Sequence, residues 1–431
     1  MGNLQTVVPC GPFDTARNPA LLAQQTSVNS TGLFFNYVTH IAKENSASGE
    51  RHEETFSPSP TTSTSYIFNT EIEDPQIKAY NIYLANSTKL NNSAFGFAFT
   101  NNGDDLYSVE KREISTITSL TPSTYASGTS EKTEKSEYNP AFIFSAGFNL
   151  SGSSSIGFQI LAKYKDSTEK KEYYANKVLP APVYEKSEKI TKETQKLSGE
   201  LGFGYFFKAN DSEIGFQIKS GDFSWIKKSI SADTYRILTG ENLRVNDDIT
   251  LNGKHTSGPS ITAGGYKRLN SFFAIAFESR LTIQNSFTNK ELEVDDDQST
   301  ATKVKVKESS QRDQQSILFN GGIEFDILKD LSFNCGLGYL KVNVENCGSD
   351  GNGDYKQEYN IKYFLLTAGL DYILTKNVEF AITAAAISYS IDLNSYGQAE
   401  DKVVGWRQET SQTAKSKGYY LQTGLGVSLS F

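Results

Sequence analysis

Few side chains in this sequence are arranged for covalent chemistry. Three histidines, His40, His52 and His255, are the natural general bases at neutral pH, and His40 would need a serine or aspartate partner. No Gly-x-Ser-x-Gly elbow accompanies them, and His52 sits in a polar stretch. They read as surface or lumen histidines, and no catalytic residue is assigned. Asp350-Gly-Asn352-Gly-Asp354 opens like a calcium loop, but the twelfth position is Ile361 where a bidentate Glu is needed. It reads as a Gly-rich loop, so no metal and no cofactor is expected. Asp295, Asp296 and Asp297 read as a solvated loop, with carboxylates able to bridge divalent ions of lipopolysaccharide. Cys10, Cys335 and Cys347 are an odd number and form no disulfide framework. Cys335 and Cys347 are about twelve residues apart in one extended run, too far to bridge at roughly 3.3 Å per residue.

Composition narrows the class. A length of 431 residues suggests two or three soluble domains. Hydrophobic content is only 37% and mean hydropathy is -0.44. No stretch approaches the roughly 18 apolar residues of a membrane helix. Yet aromatics reach 12%, chiefly 27 Phe and 23 Tyr. Disorder depletes aromatics, whereas a transmembrane barrel needs apolar side chains only at alternate positions. A net charge of -8, spread along the chain, argues against a nucleic-acid partner. No apolar signal stretch precedes Cys10, and Met1 is the only methionine. The chain therefore reads as a mature form with an added start residue, or as one started at the wrong place.

The alternation is clearest in KGYYLQTGLGVSLSF, residues 417–431. Tyr419, Leu421, Leu425, Val427, Leu429 and Phe431 share one face; Tyr420, Gln422, Gly424, Gly426, Ser428 and Ser430 share the other. A period of two means a strand between two unlike environments. Such a strand at an open edge invites aggregation; closing a barrel in lipid, it is paired on both sides. A soluble sandwich strand is the alternative. Similar runs recur from about residue 29, giving fourteen. Short turns near 87–92, 151–155, 208–212, 269–271, 329–330 and 375–377 alternate with long polar connections near 44–62, 113–135, 174–190, 236–247, 290–306, 346–356 and 395–412. This asymmetry is that of outer-membrane barrels. The expected fold is all-β: a closed, 14-stranded antiparallel transmembrane β-barrel over residues 29–431. Its strands are nearer twenty residues than the roughly 9–11 that span a bilayer, so the barrel is expected to project beyond the membrane on the loop side.

Residues 1–28 do not alternate. Asn18 is placed to cap a short helix with Pro19 at its first position. Small inward positions (Ala94, Gly96, Ala98, Ala274, Ala276, Gly424 and Gly426) leave room for a plug in a barrel too wide for side chains alone to fill; tight strand packing is the competing explanation. Glu278 and Arg280 face inward with them. These charges, with Glu324 and Asp371, are expected to pair with one another or with Arg17, and a substrate-carboxylate contact at Arg280 is a remoter alternative.

DTARNPALLA, in which Asp14, Arg17, Asn18, Pro19 and Ala20 stand, resembles the Asn-Pro-Ala hatch motif of the FadL-type long-chain fatty-acid transporters, the OMPP1/TodX family of hydrophobic-compound channels. The resemblance implies fourteen strands and an N-terminal hatch, here residues 1–28, in the lumen. FGFAFTNNGDD resembles that family's third strand, whose inward kink opens the wall sideways; the kink would fall at Asn101-Asn102-Gly103, where Gly suits a break. The final strand ending in Phe also resembles the assembly signal of bacterial outer-membrane barrels. The hatch looks shorter than the family's usual one, and the first loop pair is very polar. These features predict an outer-membrane uptake channel, not an enzyme, for hydrophobic molecules such as fatty acids. Passage is by hatch-gated diffusion with lateral exit. Both termini would be periplasmic and the long loops extracellular, in a monomer surrounded by lipid and lipopolysaccharide. The alternatives are a structural or interaction barrel, anchoring a secretion partner or acting as an adhesin, and a general porin.

Overall fold

The computed structural model describes the chain except residues 1–6, 8–9, 56–61, 73–75, 109–111, 116–125, 179–183, 239–240, 257, 295–303, 350–352 and 402–405. The wall is one antiparallel sheet. Its strands are β1 (Asn29–Thr55), β2 (Thr62–Ile72), β3 (Gln76–Leu90), β4 (Ser93–Ser108), β5 (Arg112–Ser115), β6 (Ala126–Ser151), β7 (Ser154–Val178), β8 (Tyr184–Ala209) and β9 (Ser212–Lys219). They continue with β10 (Phe223–Leu238), β11 (Glu241–Thr256), β12 (Ser260–Arg268), β13 (Phe273–Val294), β14 (Val304–Leu328), β15 (Leu331–Ser349), β16 (Gly353–Thr375), β17 (Val378–Asp401) and β18 (Trp406–Ser430). Four staves are made of two segments each: β2 with β3, β4 with β5, β9 with β10, and β11 with β12. The barrel therefore has the expected fourteen staves.

β1 closes the ring. It pairs with β3 on one side and with β18 on the other. The Asn29 N–H donates to the Phe431 carbonyl at 3.1 Å, and the Phe431 N–H returns a bond to Asn29 at 2.8 Å. Closure leaves no row of unpaired backbone groups facing lipid.

The strict period of two sorts the side chains. Along β13, Ala274, Ala276 and Glu278 are buried toward the lumen, while Ile275, Phe277 and Leu281 stand exposed outside. Phe97, Phe142, Phe277, Leu337 and Phe364 are each 59–67% exposed on the outer wall. Neighbouring rings meet across strands, as Phe97 with Phe144 at 5.0 Å and Phe273 with Phe325 at 5.0 Å. So continuous an apolar band does not persist in water; it is the lipid-facing belt of a membrane barrel.

Connections at one end are tight. Two-residue turns occupy 91–92, 152–153, 210–211, 329–330 and 376–377, and a four-residue turn occupies 269–272. Asn91 and Asn210 take φ of 53° and 50°, a left-handed conformation that Asn tolerates better than most residues. The other end differs from expectation. Most of the stretches read as long loops are paired strand: β1 runs to Thr55 opposite β18, and β10 pairs with β11 up to Leu238 opposite Glu241. These stretches are rich in Thr, Ser, Lys and Glu. Their hydropathy does not alternate, so periodicity cannot reveal them. The strand lengths agree with a barrel projecting past the membrane.

The closed barrel makes a direct prediction. Folded protein in detergent should migrate faster than boiled protein on gels, and circular dichroism should show strand with little α-helix. Identical migration of the two forms would mean that the ring is not closed.

Candidate functional site

The N-terminal segment lies inside the barrel as two 3-10 turns, Gly11–Ala16 and Pro19–Gln24. Asn18 organises it. Its Oδ1 accepts from the Ala20 N–H at 3.1 Å, capping the second turn, and its Nδ2 donates to the Tyr205 carbonyl on β8 at 3.2 Å. Pro19 occupies the first position of that turn, where its missing N–H is no loss. Ala20 and Leu21 pack on the buried Phe206. Polar side chains of the inner wall take up the segment's carbonyls: Ser145 Oγ and Gln159 Nε2 donate to Thr15, each at 2.6 Å, Ser155 Oγ to Ala20 at 2.8 Å, and Gln217 Nε2 to Arg17 at 2.6 Å.

The segment approaches so closely because the wall lacks side chains beneath it. A Cβ at Gly96 would strike Thr15, one at Gly157 the backbone between Pro19 and Ala20, and one at Gly204 the Asn18 side chain. At Gly147 it would stand 2.7 Å from the Pro19 carbonyl. Gly96 is thus in direct contact with the N-terminal segment.

Asp14 is fully buried. Its carboxylate accepts from the Cys10 N–H at 3.0 and 3.1 Å, and Arg17 Nη1 contacts the Cys10 sulfur. Burial pushes the Asp14 pKa up to about 7, against the opposing pull of Arg17 and the Cys10 N–H.

Two apolar features back onto each other across the wall. Inside, Ala85, Ala98, Ala141, Ile143 and Leu161 form a cluster on which Phe13, Ala16 and Tyr83 pack. Outside the same staves, a hollow of about 610 Å³ lies among Leu84, Phe97, Phe99, Phe142, Phe144 and Ile160. Elsewhere the lumen is charged. Lys163 pairs with Glu200 at 3.5 Å and Asp222 at 3.1 Å, Lys219 with Glu200 at 3.4 Å, and Arg280 with Glu278 at 3.8 Å. Glu324 is held by Arg268 at 2.8 Å, and Asp371 by the Asn334 amide.

Of the expected site residues, Asn18, Pro19 and Ala20 lie against β6, β7 and β8, while on β4 Gly96 faces Thr15 and Ala98 joins the cluster under Phe13 and Ala16; Glu278 and Arg280 stand together on β13. The break expected at Asn101-Asn102-Gly103 is absent. β4 pairs through all three residues with β3 and with β6, without a shift of register; bonding on both sides holds straight a sequence that alone favours turns. The interruption lies one stave on. β6 pairs with β7 at Tyr138↔Asp166 and at Ala141↔Lys163, and Asn139 and Pro140 between them are unpaired with β7. Pro140 has no N–H to give. Sequence reasoning passed over Pro140, although a proline inside a central strand was the signal. It also missed Ser145, Ser155, Gln159 and Gln217, polar residues at inward positions of apolar runs. The side chains of His40, His52 and His255, and residues Asp295–Asp297, Asp350 and Asn352, lie outside what is described. All three cysteines are free.

No protein-family model and no curated protein sequence matches the chain. Solved structures share its fold end to end. A mutant of the TodX monoaromatic hydrocarbon channel aligns with TM-score 0.56 and 13% identity, over 100% of this chain and 97% of its own. The toluene transporter TbuX of Ralstonia pickettii gives 0.55 and 12%, over 100% and 96%. A FadL homologue of Pseudomonas aeruginosa gives 0.56 and 12%, again over 100% and 96%. The resemblance drawn from the hatch motif to FadL-type channels therefore holds as a likeness of fold across the whole chain.

The raised Asp14 pKa has a sign that can be tested. A carboxyl raised from 3.8 to about 7 favours the docked segment while protonated; that stabilisation is complete at low pH and is lost as pH climbs through about 7. Hydrogen-exchange protection of residues 10–25, corrected for intrinsic exchange, should be higher at about pH 5 than at about pH 8. Asp14→Asn should flatten the difference; an unchanged pH dependence in that variant would assign the effect to another group.

Proposed function

We propose that this barrel is an outer-membrane uptake channel for hydrophobic small molecules, fatty acids among them. The N-terminal segment acts as its hatch, and its exit leads sideways through the wall. The observation that supports this reading is the apolar cluster inside the β3–β7 wall, backed by the apolar hollow outside it. A hydrophobic solute gains nothing by entering periplasmic water, since each CH₂ re-exposed costs about 0.8 kcal/mol. Passing from the inner cluster to the outer hollow keeps it in apolar surroundings. The Asn139-Pro140 interruption is the place for that passage, bounded on the lumen side by the Lys165–Glu137 ion pair at 2.5 Å and by Ala141 and Leu161. The hatch seals the channel at rest. The tight-turn end and both termini face the periplasm, the projecting hairpins face outward, and the channel works as a monomer in lipid and lipopolysaccharide. The same folds in TodX and TbuX are described as carrying monoaromatic hydrocarbons and toluene, which agrees with this reading. The charged part of the lumen favours a second reading, a wet porin for small ions.

Two measurements separate these readings. Deleting residues 1–28 should raise single-channel conductance several-fold in planar bilayers; an unchanged conductance would place the segment outside the permeation path. Pro140→Val restores the missing donor and should seal β6 to β7. Uptake of a labelled long-chain fatty acid by cells should then fall severalfold with assembly intact. Undiminished uptake by a well-assembled variant would remove the lateral route.

A further inference from the structure

The charged and apolar parts of the lumen are set on opposite sides of it. A polar cavity of about 220 Å³ opens among Lys163, Glu200, Lys219, Asp222 and Arg280, on β7, β8, β9, β13 and the β9–β10 link. About half the staves away round the wall, the inner face is aromatic and aliphatic. Tyr389 stands between Tyr363 and Tyr420, with ring centres 6.4 and 5.3 Å apart, beside the buried Val342 and Val344.

The polar cavity is unlike an anion site. Its cations are matched by carboxylates within it or, for Arg280, by Glu278 alongside. A lone anion would meet no excess positive charge, and a lone cation no excess negative charge. Glu200 Oε1 is buried and meets Lys219 Nζ at a long 3.4 Å. A carboxylate oxygen accepts more than one donor, and an ammonium entering the cavity would add one. Displaced toward that ammonium, Glu200 leaves Lys219 to face an acid group. The volume admits a head of amino-acid size and no long tail, being smaller than a drug-sized pocket of roughly 300–1,000 Å³.

We infer that the lumen binds a compact zwitterionic head carried on a single apolar chain, the acid group on Lys219 and Arg280, the ammonium on Glu200 and Asp222, and the chain lying across the lumen on the Tyr363–Tyr389–Tyr420 face. This inference rests on the uptake-channel reading and narrows its substrate from hydrophobic molecules in general to zwitterionic amphiphiles.

The test compares four probes of like chain and different head: 2-aminododecanoate, dodecanoate, dodecylammonium and dodecanol. Each competes with labelled 2-aminododecanoate for the full-length protein in lipid nanodiscs. 2-Aminododecanoate should bind about tenfold tighter than the other three, a difference of about 1.4 kcal/mol. Glu200→Gln should shift the preference toward dodecanoate, and Lys219→Met toward dodecylammonium. The exchange of Glu200→Lys with Lys219→Glu retains both charges and should restore the zwitterion preference, which a merely structural role would not do. Dodecanoate binding as tightly as the zwitterion, four equal affinities, or variants with unchanged ranking would each overturn the inference. Cellular uptake of dodecanol judges the channel reading separately. If uptake is seen without any head preference, only the zwitterion site fails; if uptake is absent, the channel reading itself fails.

Discussion

Every strand in this wall borrows its stability from its neighbours, and the ring is complete only where β1 meets β18. In the hydrocarbon of a bilayer, an unpaired N–H or C=O costs several kcal/mol. The reciprocal bonds between Asn29 and Phe431, and the ladder above them, remove the last open edge. Once closure is imposed, the period of two follows. One set of side chains must satisfy lipid, and the other inherits whatever the lumen contains.

The lumen of fourteen staves is too wide for wall side chains to fill, so its contents are specified separately. The N-terminal segment is held by apolar burial, Leu21 and Leu22 being fully enclosed, and by backbone carbonyls matched to Ser145, Ser155, Gln159 and Gln217. With the segment seated, each of these buried donors and each of these carbonyls has its partner. Glycines at 96, 147, 157 and 204 bring the two within bonding distance. Polarity and close approach therefore work together: bulk at the glycines would destroy the fit, and loss of the polar groups would leave a loosely seated plug.

Alternation made the lipid belt, the stave count and the inward positions legible, because those residues sit between lipid and lumen. The same signal vanished where β1, β7, β10 and β13 run on into water. There both faces are polar, and pairing rather than hydropathy makes the strand. Asn18 and Pro19 were legible as a helix start because capping is local chemistry. Asn101-Asn102-Gly103 misled for the same reason: local preference for a turn is outweighed by two long-range ladders. Pro140 stays paired with Asn101 on β4 and loses only its pairing with β7, since its missing donor cannot be supplied by context.

The position of the segment also bears on the order in which the molecule is put together. Among the described residues its main contacts are with β1, β3, β4, β6, β7, β8 and, through Gln217, β9. All of these strands precede residue 220; β18, the partner of β1, does not. The final seam, by contrast, joins residues some 400 positions apart, as at Ser30 and Ser430, and closing so long a loop carries a large entropic penalty. A seat made by staves so close in sequence does not depend on the final seam, so the segment and its first staves can meet before the ring is closed.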